Sequence, residues 1–122
     1  MAKILLVDDD RDLASLTRMT LVAEGHEVFV CHYAASAIEK AKQEKPDLIL
    51  MDILLPEVSG AEAVINLQEV PALADIPVVF LTGLVSNQEQ RGLTVRGHNY
   101  KTLGKPFEVD QLLKVVESYC GE

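Results

Sequence analysis

Short apolar runs alternate along the chain with longer segments in which apolar residues recur every three or four positions. Short runs of apolar and β-branched residues are typical of buried strands, whereas the three- and four-residue spacing is typical of helices. The run Leu48–Met51 has no polar alternation, which indicates a strand covered on both faces of a parallel sheet. We predict five strands, at Lys3–Val7, His26–Cys31, Leu48–Met51 ending at Asp52, Pro77–Leu81 ending at Thr82, and Tyr100–Leu103.

The segments between these runs predict helices of unequal strength. The first begins at Asp10 and ends before Gly25, because Leu13, Leu16, Met19, Thr20 and Ala23 recur at helical spacing and Gly commonly follows a helix end. Between Asn87 and Val95 the polar content is high and Gly92 interrupts, so we predict only a short, mobile fourth helix there. Clearer helices are expected at Ala35–Glu44, at Ala61–Val70 and from Val109 to Tyr119.

This strand and helix alternation predicts one domain over residues 1–122 in the α/β class. Right-handed crossovers between successive strands give a flavodoxin-like, doubly wound, five-stranded parallel sheet of order 2-1-3-4-5 with helices on both faces. Ligands of such sheets bind beyond the carboxyl ends of the strands. The polar residues at those ends are Asp8, Asp9, Asp52, Thr82 and Lys105.

Charge and composition narrow the possible partners. The formal charge is -8, which opposes direct binding to nucleic acid or to an anionic membrane. No apolar run approaches the ~20 residues of a spanning helix, and the amino terminus has no signal-like segment. The cytoplasm is therefore the expected compartment. Cys31 and Cys120 are far apart in sequence and are expected to be free thiols.

If the fold brings the polar residues at the strand ends together, they can form one site that binds a cation. Three carboxylates in one pocket recruit a compensating cation, and their hard oxygen ligands suit Mg²⁺ or Mn²⁺. Lys105 supplies a second cation and Thr82 a hydroxyl donor. Such a set suits phosphoryl transfer, with Asp52 as the nucleophile because it stands on the central strand.

Four motifs resemble the receiver domains of two-component response regulators, and the resemblance covers essentially the whole chain. Ile4–Asp10 is similar to the first strand and acidic pair of that family. Pro46–Pro56, completed by Gly60, is similar to its phosphoacceptor segment. Pro77–Leu81 with Thr82-Gly83 resembles its switch element, and Lys105-Pro106-Phe107 resembles its lysine-proline-aromatic turn.

The resemblance implies a role for each matched residue. Asp52 would accept a phosphoryl group, and Mg²⁺ would be held by Asp9, Asp52 and the backbone carbonyl of Leu54, with Asp8 assisting directly or through water. The phosphoryl oxygens would be bound by Thr82, the amide of Gly83 and Lys105.

The resemblance also implies protein partners. These are a histidine kinase or phosphotransfer protein and a downstream target, in a bacterial setting. The target would bind the face formed by the fourth helix, fifth strand and last helix. The chain would not be an enzyme beyond phosphorylating itself from small phosphodonors and dephosphorylating itself.

Two features depart from the family pattern, and both lie on the output side. Thr102 stands three residues before Lys105, where the family usually has an aromatic switch residue, and the aromatic residue here is Tyr100. The segment from Gly97 to Gly104 is about one residue longer than the usual spacing. We therefore expect intact chemistry and altered output coupling, with Thr102, Tyr100 and Pro106 as the candidate coupling residues.

Simpler interpretations apply to several of these residues. Asp10 and Asp12 are expected to cap the first helix, since carboxylates stabilise helix amino ends. His26, His32 and His98 have no triad or metal partner by spacing and are expected to be structural or exposed.

Three other functions are considered for the whole chain. A metal-dependent phosphatase usually has a second acid two residues after its nucleophile, where this chain has Leu54. A flavin or nucleotide carrier needs a phosphate-binding loop after the first strand, where the chain has acids. The third alternative, a docking module that binds its partner without phosphorylation, is compatible with the sequence.

Overall fold

The computed structural model describes residues 2–55, 58–82, 93–95, 97–104 and 107–120. Six strands lie within these residues: β1 Lys3–Val7, β2 Glu27–Cys31, β3 Leu48–Asp52, β4 Val78–Thr82, β5 Leu93–Val95 and β6 His98–Gly104. The helices are α1 Arg11–Ala23, α2 Ala34–Glu44, α3 Gly60–Gln68 and α4 Val109–Cys120. Helix α4 corresponds to the last helix predicted from the sequence, from Val109 to Tyr119.

All six strands form one sheet in the order β2-β1-β3-β4-β6-β5. The first five positions of this order are parallel and confirm the predicted flavodoxin-like arrangement, with β6 as the predicted fifth strand. Every residue of β3 and β4 is buried, as expected for central strands covered on both faces. Alternate strand residues contribute to two separate hydrophobic clusters, one on each face of the sheet. The carboxyl ends of the central strands are therefore supported by packed side chains on both faces of the sheet.

Helix α1 follows the acidic segment after β1 and begins as predicted. The side chain of Asp10 accepts a hydrogen bond from the backbone N–H of Leu13, which confirms Asp10 as the amino-terminal cap. The residues that α1 buries are Ala14, Thr17 and Leu21. Leu16 and Met19, which helped to predict the helix, are instead 61% and 60% exposed. Their spacing predicted the helix correctly, but Ala14, Thr17 and Leu21 are the residues that it buries.

The prediction of a helix over Asn87–Val95 is wrong for its last three residues, and its first six lie outside the described residues. Leu93–Val95 is strand β5, which pairs antiparallel with β6 and adds a sixth strand to the sheet. Val95 pairs with His98, two residues separate them in sequence, and Gly97 has φ +76°. A glycine with positive φ permits the tight turn of a two-residue hairpin. Local pairing with β6 therefore determines this segment, and a search for helical spacing could not detect it.

Candidate functional site

Three carboxylates meet at the carboxyl edge of the sheet. Asp8 and Asp9 follow β1, and Asp52 ends β3, whose register with β1 pairs Val7 with Met51. One carboxylate oxygen from each of these three residues lies within 4.8 Å of the other two. Among the residues that the structure describes, this is the one cluster of three acidic, histidine or cysteine side chains close enough to share a cation. Asp8 and Asp52 are buried, whereas Asp9 is exposed.

The carboxylate of Asp8 is fixed by its neighbours in the turn between β1 and α1. Its Oδ1 accepts a hydrogen bond of 3.0 Å from the backbone N–H of Asp10. The backbone N–H of Asp8 donates to the carbonyl oxygen of Cys31, at 3.0 Å. Asp8 is therefore held both by the start of α1 and by the end of β2, and its oxygens lie at the edge where β3 ends.

The carboxylate of Asp52 lies at the start of a tightly folded loop. Its Oδ1 accepts a hydrogen bond of 3.2 Å from the backbone N–H of Leu54. The loop closes when the N–H of Gly60 donates to the carbonyl of Ile53 at 2.6 Å. A Cβ atom on Gly60 would lie 2.4 Å from the carbonyl oxygen of Asp52, so only glycine fits here. The loop that presents Asp52 and Leu54 depends on this close approach.

Thr82 ends β4 on the same edge of the sheet. Strand β4 pairs Leu81 with Asp52, so Thr82 lies one residue beyond the phosphoacceptor candidate in the adjacent strand. The side chain of Thr82 is buried. Gly104, the residue before Lys105 in sequence, pairs with Thr82. Lys105 itself, together with Gly83 and Pro106, lies outside the described residues, so the structure brings together four of the predicted pocket residues: Asp8, Asp9, Asp52 and Thr82.

His32 contacts this site, although sequence reasoning treated it as structural or exposed. Its Nδ1 lies 2.8 Å from the backbone carbonyl oxygen of Asp8. The pairing of Val7 with Cys31 places the residues that follow β1 and β2 side by side. That register was the available signal, because parallel neighbours bring the residue after one strand close to the residue after the next.

The two candidate output residues on β6 differ in their surroundings. Tyr100 is buried, and its ring packs edge-on against Phe80 with 5.5 Å between ring centroids. Its hydroxyl is hydrogen-bonded by the amide of Gln68 at the end of α3. Burial raises the pKa of Tyr100, and the hydrogen bond from Gln68 lowers it by less than burial raises it. Thr102 is half-buried and pairs with Phe80, so both residues adjoin the same β4 side chain.

The fold and the acidic cluster define the class as a doubly wound α/β protein with an acidic pocket beyond its central strands. The sequence model of the response regulator receiver domain matches residues 4–117. The polar-differentiation response regulator DivK of Brucella anthropi is 31% identical over 119 residues, covering 98% of this chain and 96% of DivK. The chain belongs to the response regulator receiver domain family.

Solved structures agree with this assignment. Chemotaxis protein CheY4 of Vibrio cholerae superposes with a TM-score of 0.85 at 29% identity and with 98% coverage of both chains. A CheY-like receiver domain protein of Methanospirillum hungatei has a TM-score of 0.83 at 25% identity, covering 97% of this chain and 92% of its own. The chain is thus a module of two-component signalling, a class of phosphorylation-dependent switches. None of the helices in the described ranges is long and apolar enough to cross a membrane.

Proposed function

We propose that Asp52 accepts a phosphoryl group in the presence of Mg²⁺ and that this modification changes a protein-binding face. The observation that carries the proposal is the convergence of three carboxylates, within 4.8 Å of one another, at the carboxyl ends of β1 and β3. Two of these carboxylates are buried, where like charges repel more strongly than they do in water. A bound cation relieves that repulsion, so the pocket favours binding one.

The donor atoms fit a hard divalent cation. Asp8, Asp9 and Asp52 offer carboxylate oxygens, and the backbone carbonyl of Leu54 is the fourth proposed ligand. Mg²⁺ prefers oxygen ligands and keeps several waters, so an incomplete protein shell with an exposed Asp9 suits it. Mn²⁺ prefers the same oxygen donors. When bound, the cation neutralises charge on the phosphoryl oxygens.

The residues of the pocket have separate roles in phosphoryl transfer. A carboxylate oxygen of Asp52 attacks phosphorus, and the P–N bond of a partner's phosphohistidine breaks. The electron pair leaves with the imidazole nitrogen, and Asp52 becomes an aspartyl phosphate. Thr82, the amide of Gly83 and Lys105 are proposed to bind the phosphoryl oxygens, since hydrogen-bond donors and a cation stabilise that charge.

The partners that suit this chemistry are proteins. A histidine kinase or a phosphotransfer protein would supply the phosphoryl group, and a downstream protein would read the modified surface. Of the predicted target face, formed by the fourth helix, fifth strand and last helix, the fifth strand is β6 and the last helix is α4, and most of the predicted fourth helix lies outside the described residues. The formal charge of -8 disfavours nucleic acid, and a cytoplasmic setting remains part of the proposal.

Output coupling is proposed to pass through Tyr100, because Thr102 has no ring to rotate. Phe80 lies two residues before Thr82 on β4, and its ring contacts Tyr100. Movement of Thr82 toward a phosphoryl group would shift this packing and, through β6, the strand β5 beside it. Replacing Thr102 by Tyr tests this route. We expect Thr102→Tyr to alter the phosphorylation-dependent shift of the Val95 amide resonance, and an unchanged shift would contradict the route.

The proposed function is tested by incubating the chain with a small acyl phosphate and Mg²⁺. We expect incorporation of one phosphoryl group per chain, abolished by Asp52→Asn and by chelation of the metal. Asp47→Asn is the matched control, because Asp47 lies at the other end of β3 and binds the N–H of Lys3. Incorporation that survives Asp52→Asn would contradict the proposal.

The same samples separate the alternatives. Continuous turnover of a generic phosphate ester would indicate a phosphatase. Equal binding of a protein target to wild type and Asp52→Asn, with and without phosphodonor, would indicate a docking module that works without phosphorylation.

A further inference from the structure

The peptide groups on both sides of the Asp8 α-carbon are tied to the end of β2. On one side, the N–H of Asp8 donates to the carbonyl of Cys31 at 3.0 Å, continuing the parallel ladder between β1 and β2. On the other side, the carbonyl of Asp8 lies 2.8 Å from Nδ1 of His32. The first contact is backbone to backbone and needs no particular side chain. The second depends on the identity of residue 32.

The chemistry of the contact fixes where one proton of His32 lies. A backbone carbonyl oxygen only accepts hydrogen bonds, so Nδ1 must carry the hydrogen that joins the two atoms. Nδ1 is protonated in the cationic ring and in one of the two neutral tautomers. The carbonyl of Asp8 therefore selects the Nδ1–H tautomer of the neutral ring.

The position of this carbonyl matters because it begins the peptide between Asp8 and Asp9. Rotation of that peptide would move both acids relative to Asp52, whereas the buried strand β3 would stay in place. Outer hydrogen bonds that orient metal ligands commonly affect metal affinity strongly. His32 is half-buried between the end of β2 and the start of α2.

We propose that His32 is a positioning residue for the metal-binding acids, acting by donating its Nδ1–H to the carbonyl of Asp8. The proposal rests on the proposed Mg²⁺ site and adds a residue that does not touch the metal or the phosphoryl group. It also ties the start of α2 to the acidic turn, because His32 lies two residues before Ala34.

The test compares three substitutions by their Mg²⁺ affinity, measured from the amide resonances of Asp8 and Asp9 during titration with Mg²⁺ alone. His32→Ala and His32→Phe both remove the donor, and Phe keeps a ring of similar size. We expect each to weaken binding by about tenfold. His32→Asn places an amide N–H near the position of Nδ1 and is expected to stay close to wild type. Thermal unfolding of each variant checks that the fold is intact.

His26→Ala is the matched control, since His26 accepts a hydrogen bond from the Ala2 N–H at 3.2 Å, just before β2 begins. It should leave Mg²⁺ affinity unchanged. Long-range proton–nitrogen spectra of the wild type provide a readout that needs no variant, and they should show the Nδ1–H tautomer for neutral His32.

Three results would overturn the proposal: wild-type affinity in His32→Ala, equal loss in His32→Asn and His32→Phe, or the other tautomer. A wild-type chain that binds no Mg²⁺ would instead overturn the proposed function. The tautomer measurement stays informative in that case, because it reports the hydrogen bond to Asp8 directly.

Discussion

Two regions of the sheet are built in different ways. The acidic edge is the set of strand carboxyl ends that carries Asp8, Asp9 and Asp52, and the hairpin edge is the outer side of the sheet formed by β5 and β6. At the acidic edge, Asp8 and Asp9 follow β1 and Asp52 ends β3, and both strands have parallel neighbours on both sides. At the hairpin edge, β5 and β6 pair through a turn at Gly97. The sequence motifs at the acidic edge resemble those of the family, whereas the hairpin edge departs from the family pattern. We infer that the chemistry is fixed by the central strands and that the output edge is free to vary.

Substitution of one glycine in each region should give the largest difference in the free energy of unfolding. Gly60→Ala places a Cβ 2.4 Å from the carbonyl oxygen of Asp52, where neither backbone can yield easily. We expect a loss of about 3 kcal/mol in the free energy of unfolding, with impaired phosphorylation. Gly97→Ala meets no atom within 4 Å and strains only its φ of +76°, at about 1 kcal/mol. Urea unfolding measures both, and equal losses would contradict the contrast.

Removing one charge from the acidic cluster should stabilise the metal-free chain. Asp52→Asn keeps an oxygen to accept from the N–H of Leu54 but abolishes repulsion from Asp8 and Asp9. We expect about 2 kcal/mol of added stability without divalent cation. The gain should shrink when Mg²⁺ is added, because the wild type then binds the cation.

Thermal unfolding with and without Mg²⁺ measures this effect. Asp47→Asn is the control, because it removes a carboxylate from the residue that precedes β3. There the side chain accepts a hydrogen bond from the N–H of Lys3. A destabilised Asp52→Asn chain, or a gain that Mg²⁺ leaves unchanged, would argue that the three carboxylates do not repel one another in solution.

At the hairpin edge, Tyr100→Phe should change stability without changing chemistry. The substitution keeps the ring that packs on Phe80 and removes the hydroxyl bound by Gln68. We expect a loss of about 1 kcal/mol in the free energy of unfolding. The rate of phosphorylation from a small phosphodonor should match the wild type. A slower rate would show that the two edges are coupled during phosphoryl transfer itself.

The smallest expected effect is a dependence of stability on alkaline pH. Burial raises the pKa of Tyr100 in the folded chain above its unfolded value of about 10. The unfolded chain therefore loses this proton first, so the contribution is full below about pH 10 and is lost as pH rises through the folded pKa. Tyr100→Phe should flatten the decline in urea-unfolding stability across that window. An unchanged slope would contradict the assignment to Tyr100.

The central strands could be predicted from the sequence because their burial leaves a continuous apolar run, as in Leu48–Met51. Their carboxyl ends then located Asp8, Asp9, Asp52 and Thr82 on one edge, and parallel register brought the three acids together. The same reasoning supplied the sheet order. These successes share one cause, which is that a strand buried on both faces has little freedom in composition or in direction.

The features that the sequence did not reveal depend on strand pairing, on the packing of small side chains or on contacts to the backbone. Leu93–Val95 is a strand because β6 lies beside it, and three residues carry too little periodicity to indicate this. The face that α1 buries uses Ala14, Thr17 and Leu21, and Ala14 and Thr17 are too small or too polar to mark an apolar stripe. His32 was assigned no role because its partner is a backbone carbonyl, and only the parallel register of β1 with β2 indicated that the two residues lie side by side.

The most direct test of the central claim is to locate the phosphoryl group chemically. Wild-type chain would be treated with a small acyl phosphate and Mg²⁺, reduced with borohydride to convert an aspartyl phosphate to homoserine, digested and sequenced by mass spectrometry. The account predicts homoserine at position 52 alone, dependent on Mg²⁺. Homoserine at Asp8 or Asp9, or none at position 52 after full exposure to phosphodonor and Mg²⁺, would contradict it.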